Sequence, residues 1–185
     1  NRGPDSQAGR TRAILFDVLK PNVIYTGGIS GGLFKSEDNG ENWERVASYN
    51  GNNASIMSLA QSISGVIYVG TGETLSGGNP DGTLFNASIT GDGMYKSSDD
   101  GATWTQIDVT NEFNYPTFSG EWSSVRSIAT HPTKSNLILV GNNSGIRIST
   151  NAGDAQPTFF NAIGGGSNVS DVQFTSDGKE AWAAC

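Results

Sequence analysis

Ser36-Glu-Asp-Asn-Gly-Glu-Asn-Trp43 and Ser97-Ser-Asp-Asp-Gly-Ala-Thr-Trp104 are the same eight-residue turn written twice. A worn third copy opens at Ser149 as Ser-Thr-Asn-Ala-Gly, with Phe159 and Phe160 arriving where the tryptophan belongs. The shared pattern is Ser-x-Asp-x-Gly-x-x-Trp, carried by Ser36, Asp38, Gly40 and Trp43 and again by Ser97, Asp99, Gly101 and Trp104. Each position has a physical role. Serine and aspartate side chains hydrogen-bond turn backbone, glycine takes a positive φ without steric cost, and tryptophan pins the following strand to a core. The pattern is a structural staple and holds no catalytic arrangement.

Around each staple lies a longer repeat. Its opening strand reads Arg12-Ala-Ile-Leu-Phe-Asp17, Met57-Ser-Leu-Ala-Gln-Ser62, Arg126-Ser-Ile-Ala-Thr-His131 and Ser170-Asp-Val-Gln-Phe-Thr175. An apolar strand follows each time: Val23-Ile-Tyr-Thr-Gly27, Val66-Ile-Tyr-Val-Gly70, Leu137-Ile-Leu-Val-Gly141 and Glu180-Ala-Trp-Ala-Ala184. A period of about 45 residues, lengthened once by insertions, marks a propeller-like array. The predicted strands run near 12–17, 23–28, 32–36 and 43–48, then 57–62, 66–71, 92–97 and 104–109, then 126–131, 137–142, 145–149 and 158–163. Short segments rich in Val, Ile, Tyr and Trp, separated by Gly, Asn, Asp and Pro, read as antiparallel sheet. No window has a 3.6-residue apolar period, so almost no helix is expected. The predicted class is all-β: a partial β-propeller of four-stranded antiparallel blades, near 12–48, 57–109 and 126–163, with a half blade at 170–185. Propellers close with about four to eight blades, so residues 1–185 read as the N-terminal part of one propeller in a longer protein.

The staple resembles the Asp-box, or bacterial neuraminidase repeat, of sialidases, sortilin-like receptors and xyloglucan-hydrolase propellers. The stretch Gly3-Pro4 … Gly9-Arg10 … Arg12-Ala-Ile, followed by Pro21-Asn-Val-Ile-Tyr-Thr-Gly-Gly-Ile-Ser-Gly-Gly-Leu-Phe-Lys-Ser36, is similar to large secreted bacterial Asp-box repeat proteins exported by type IX secretion. That resemblance implies a secreted or cell-surface protein, with the secretion machinery as a partner if it is type IX cargo. It implies activity poorly, because one fold hosts many functions. In this resemblance, sialidases carry an Arg-Ile-Pro signature that is absent here, and xyloglucan hydrolases carry a catalytic Asp two residues before a Gly-Gly pair. Gly31-Gly32 is present, but Ile29 stands in place of that Asp.

Composition narrows the functional classes. A net charge of −7 and a pI near 4.5 argue against nucleic acid, which is bound through clustered Lys and Arg. The apolar runs are far too short for a membrane-spanning helix. Neither an initiating Met nor a signal-type apolar region is present, which fits a mature chain with its signal peptide removed. With one histidine, His131, and one cysteine, Cys185, no zinc cluster can form; no metal and no cofactor is expected. His131 reads as a turn residue and Cys185 as a buried strand thiol.

Two features point to a ligand face. Residues 73–91 and 110–124 are insertions, the second carrying Phe113, Tyr115, Phe118 and Trp122. In an up-and-down blade both emerge opposite the stapled turns, on the face where aromatic rings can stack on sugars or anchor a protein. Tyr115, Trp122 and Phe113, with Asp81 and Glu121 as hydrogen-bonding neighbours, are the predicted contacts. Arg12 and Arg126 align at the start of the innermost strand, where they can bind a carboxylate or phosphate. Ion pairing with nearby acids and self-packing of the insertions are the competing structural roles. The expected function is a binding or scaffold module for carbohydrate or protein partners. The alternative is a sialidase-like or xyloglucanase-like glycoside hydrolase with catalytic residues partly outside this segment.

Overall fold

The computed structural model describes residues 10–51, 55–78, 84–111, 120–163 and 169–185. Its first sheet is antiparallel, in the order β1 (Thr11–Phe16), β2 (Ile24–Gly28), β3 (Gly32–Ser36) and β4 (Glu44–Arg45). The second opens with β5 (Ile56–Gln61) and β6 (Ile67–Thr71). A separate hairpin of β7 (Glu73–Gly78) and β8 (Leu84–Ile89) intervenes before β9 (Met94–Ser97) and β10 (Thr105–Gln106) complete it. The third runs β11 (Val125–Thr130), β12 (Ile138–Asn142), β13 (Gly145–Ser149) and β14 (Phe160–Ile163), and the last pairs β15 (Asp171–Phe174) with β16 (Ala181–Ala184). A single 3-10 turn over Asp108–Thr110 is the only helical element among the described residues. The all-β architecture of repeated four-stranded sheets matches the sequence reading. The insertion at 73–91, read as a loop, contains the β7–β8 hairpin.

Period-two alternation decides how the sheets stack. In β1 and β2, Ala13, Leu15 and Tyr25 face the second sheet, where they meet Ile56, Leu59, Val69 and Trp104. Ile14 and Phe16 point to the other side. The same alternation puts Ala60 and Tyr68 of the second sheet against Ile128 and Val140 of the third. It puts Ala129 and Leu139 of the third against Val172. Each core is therefore an interface between consecutive sheets, with the innermost strands β1, β5, β11 and β15 side by side. Serine hydroxyls tie these strands together: Ser58 Oγ donates to Val125 O at 2.8 Å and Ser127 Oγ to Asp171 Oδ1 at 2.7 Å.

Glycine closes this packing at one repeated place. A Cβ on Gly27, Gly70 or Gly141 would collide with Ile56, Val125 or Val169 respectively. Each of these three side chains comes from the segment leading into the next sheet and fills the space that its glycine leaves open.

The stapled turns are built as their residues predict. In the second copy Ser97 Oγ donates to Asp99 Oδ1 and accepts from Gly101 N, both at 2.8 Å. Asp99 accepts from Thr103 N at 2.8 Å and Thr103 Oγ1 at 2.6 Å, and Trp104 Nε1 donates to Gly101 O at 3.2 Å. The first copy repeats this with Ser36, Asp38, Asn42 and Trp43. Asn39 and Asp100 take φ near +59° and +58° ahead of glycines at +86° and +82°. The worn third copy still works: Asn151 Oδ1 accepts from Thr158 N at 2.9 Å. Phe159 substitutes for the tryptophan, packing edge-on against Trp122 at 5.0 Å.

The second and third staples also dock on the preceding sheet. Tyr25 Oη donates to Asp100 O at 2.8 Å, and Ser48 Oγ to Gly101 O at 2.6 Å. Burial pushes the Tyr25 hydroxyl up to about 12, so it remains a donor across the neutral range. Buried Lys96 reaches the third turn, donating to Ala152 O at 3.2 Å and to Asp154 O.

His131 is a turn residue, as expected. Its Nδ1 accepts from Thr133 N and Lys134 N, both at 3.1 Å, and its Nε2 lies 3.0 Å from Gly178 O. Asp17 does the same in the first repeat, accepting from Leu19 N and Lys20 N. Cys185 is exposed rather than buried. The expectation failed because β16, which leads into it, is itself exposed along its length.

Candidate functional site

The aligned arginines share one backbone irregularity. β1 slips register between Thr11 and Ala13, β5 between Ile56 and Ser58, and β11 between Val125 and Ser127. Arg12, Met57 and Arg126 are thus the extra residues of three successive β-bulges at the same place in each repeat. A bulge leaves its residue out of the ladder and re-aims the side chain, a device common at rims and next to binding sites. Here it sets the three side chains along the rim from which the two insertions rise.

Glu73, the first residue of the β7–β8 hairpin, is the electrostatic centre of that rim. Its carboxylate is 3 % exposed, pairs with Arg10, and lies 3.4 Å from Arg12 Nε. The first sheet is thereby joined by charge to the β7–β8 hairpin. The next residues carry the connection onward: Ser124 Oγ donates to Gly72 O at 3.3 Å, and Gly91 N donates to Ser123 O at 2.7 Å. Asn143 Nδ2 donates to Ser123 Oγ at 3.0 Å, while Asn143 Oδ1 accepts from Arg126 Nη2 at 3.3 Å. Burial lowers the Arg126 pKa, yet arginine's starting value leaves it charged. Ion pairs and hydrogen bonds from Arg10 to Arg126 thus run along one face from the first sheet, past the base of the β7–β8 hairpin, to the third.

The other predicted residues divide. Trp122 is 3 % exposed and packed on Phe159. A covered ring offers no face for stacking, so its role here is in the core between the second and third sheets. Glu121 is taken up by Arg147, whose Nε lies at 3.1 Å and whose Nη2 also pairs with it. Arg12 and Arg126 lie on the rim as described. Tyr115, Phe113 and Asp81 lie outside the described residues. Ile29 is buried, so the position compared with a xyloglucanase aspartate brings no carboxylate. Among the described residues no group of histidine, cysteine and carboxylates is arranged to hold a metal. Asp38 and Asp99 spend their oxygens on their own turns; donors from Asn42 and Ser36 hold Asp38 down to about 2.

A groove of roughly 600 Å³ lies on the opposite face, between the first two staples, lined by Lys35, Asp38, Arg45, Asp99 and Asp100 among others. Its origin is local. Lys35 folds back to Glu37 at 2.6 Å, whereas its repeat counterpart Lys96 extends into the following turn. The groove carries mixed charge and no aromatic floor, and we do not place the ligand there.

Sequence reasoning singled out both bulge arginines but not Glu73 as the partner of Arg12 or Asn143 as that of Arg126. Their pairing spans distant segments and leaves no local mark. The hairpin had a signal: Asn79-Pro80-Asp81-Gly82 is turn chemistry flanked by strand-length segments.

With this geometry in view, comparison with solved structures is decisive for fold. An ancestral GH74 enzyme superposes at a TM-score of 0.65 with 21% identity, over 99% of this chain and 22% of that one. The extracellular domain of BT4673 from B. thetaiotaomicron gives 0.60 and 16%, over 99% and 20%. YCF48 from Cyanidioschyzon merolae gives 0.55 and 19%, over 86% and 39%. The fold is a β-propeller. The chain spans about a fifth of the first and second of these neighbours. No protein-family model and no curated protein matches the sequence. No helix among the described residues is long and apolar enough to cross a membrane.

Proposed function

We propose that residues 1–185 are part of a secreted or cell-surface propeller of the Asp-box type, and that it works as a binding module. Its ligand, a carbohydrate or a protein segment, sits on the rim and the two insertions above it. The observation that carries this reading is the triple bulge, which re-aims Arg12, Met57 and Arg126 onto the rim from which both insertions spring. Solved propellers of this fold include YCF48 bound to D1 peptide and the extracellular domain of BT4673, which makes peptide and extracellular roles reasonable for the architecture. Polar groups set around Met57 suit a ligand with hydroxyl or carboxylate groups on an apolar body.

The test is binding of the full-length protein to glycan and peptide arrays, with Arg126→Ala, Tyr115→Ala and the opposite-face variant Arg45→Ala alongside. Loss of about 1–3 kcal/mol of binding, tenfold to hundredfold, is expected for the first two at unchanged melting temperature. Arg45→Ala should bind as wild type. Equal binding by all four proteins would overturn the proposal.

A further inference from the structure

Lys35 and Lys96 are repeat counterparts that take opposite courses. Each precedes its staple serine and pairs in the ladder with a tyrosine, Tyr25 or Tyr68, that faces the following sheet. Lys96 is 7 % exposed and extends into the next staple, where its ammonium donates to Ala152 O at 3.2 Å and to Asp154 O. Lys35 instead turns back to Glu37 at 2.6 Å. One residue accounts for the difference. The second copy has Ser98 where the first has Glu37, and a hydroxyl offers no charge to hold a lysine back.

Lys35 therefore does not enter the place that Lys96 fills one repeat later, and the groove between the first two staples results. Asp100 and Ala102, which line it, are the counterparts of Ala152 and Asp154. Tyr25 already donates to Asp100 O at 2.8 Å, but a carbonyl has a second lone pair. The surroundings also suit a cation, since the lining carries five carboxylates against Lys35 and Arg45. With Glu37 bound to Lys35 and Asp100 to Lys20, Asp38, Glu44 and Asp99 still outnumber Arg45.

We propose that this groove binds an unbranched alkylammonium group, as carried by a lysine side chain or a polyamine. Lys96 is the chain's own example of the bound state: a methylene stem crosses between sheets and delivers its charge to two staple carbonyls. A compact ammonium with three rotatable donors fits that pair of acceptors, whereas a planar guanidinium presents a rigid fork. Glu37 keeps the site open by retaining the lysine that otherwise fills it. The site lies opposite the rim and does not depend on the rim's being a binding surface.

Saturation-transfer NMR titrations of the full-length protein with spermidine and with Nα-acetyl-lysine amide test this. At least one should bind, the tighter assigning the source, and the Nε-acetylated lysine amide, which lacks the charge, should not. Glu37→Ser should free Lys35 to enter the groove as a tethered competitor, at an effective concentration of about millimolar, and weaken binding about tenfold. Glu37→Ser combined with Lys35→Met should restore binding to near the wild-type value, because the competitor is gone and the net charge is again that of wild type. Glu180→Ser removes an exposed carboxylate from the turn between β15 and β16 and should leave binding unchanged. Equal weakening by Glu37→Ser and Glu180→Ser would show only a general attraction of amines to an acidic protein and overturn the proposal. So would no binding by either probe, or a double variant as weak as Glu37→Ser alone.

Discussion

Trp104→Ala tests whether the staple holds the array together through burial. Trp104 is 7 % exposed, meets Tyr49 edge-on at 5.6 Å, and donates from Nε1 to Gly101 O at 3.2 Å. An aromatic side chain of this class removes about 150–250 Å² from water, worth about 4–6 kcal/mol at about 25 cal/mol per Å². Residual burial in the denatured chain and retention of Cβ bring the expected cost of truncation to about 3–5 kcal/mol. Trp43 makes the same hydrogen bond in the same turn, with Nε1 3.1 Å from Gly40 O, but its ring is half-buried. Trp43→Ala should therefore cost less, about 2–4 kcal/mol, since less surface returns to water. The pair separates burial from turn bonding, because only burial differs. Equilibrium urea unfolding followed by far-UV circular dichroism measures both values. A Trp104→Ala cost within about 0.5 kcal/mol of zero, or one equal to that of Trp43→Ala, would refute the reasoning.

Gly70→Ala should cost about 1–3 kcal/mol by overpacking against Val125, measured by the same unfolding experiment; a neutral result would contradict the interface described. His131→Asp should be tolerated, since Asp17 performs the same turn role, whereas His131→Phe should lose about 1–3 kcal/mol by leaving the Thr133 and Lys134 N–H groups without their acceptor. The carboxyl of Asp38 is depressed to about 2 by the Asn42 backbone and side-chain donors. A depressed acid stabilises the fold above its unfolded value of about 3.9 and loses that contribution as pH falls through its folded value. The melting-temperature difference between wild type and Asp38→Asn should thus be constant near neutrality and narrow between about pH 4 and 2.

Much of the fold was legible because each local signal agreed with its neighbours. Ser-x-Asp-x-Gly-x-x-Trp marked the turns, and short Val-, Ile- and Tyr-rich segments recurring about every 45 residues marked the strands. What escaped reading depends on tertiary pairing. Glu73 meets Arg10 across 63 residues, and the bulges add one residue to a strand without altering its composition. Trp122 looked like a ligand anchor because it lies in an insertion. The third staple lacks its tryptophan, and Trp122 with Phe159 fills the resulting space. A missing core residue in one repeat is a sequence signal that a neighbouring aromatic has been drawn inward.

Hydrogen–deuterium exchange of the full-length protein with and without its array-identified ligand addresses the central claim, that recognition occurs on the bulged rim and not at the staples. Slowed exchange is predicted in residues 73–91, 110–126 and 142–145, with the turns at 36–43 and 97–104 unchanged. Protection confined to the two staples and the groove between them would contradict the account.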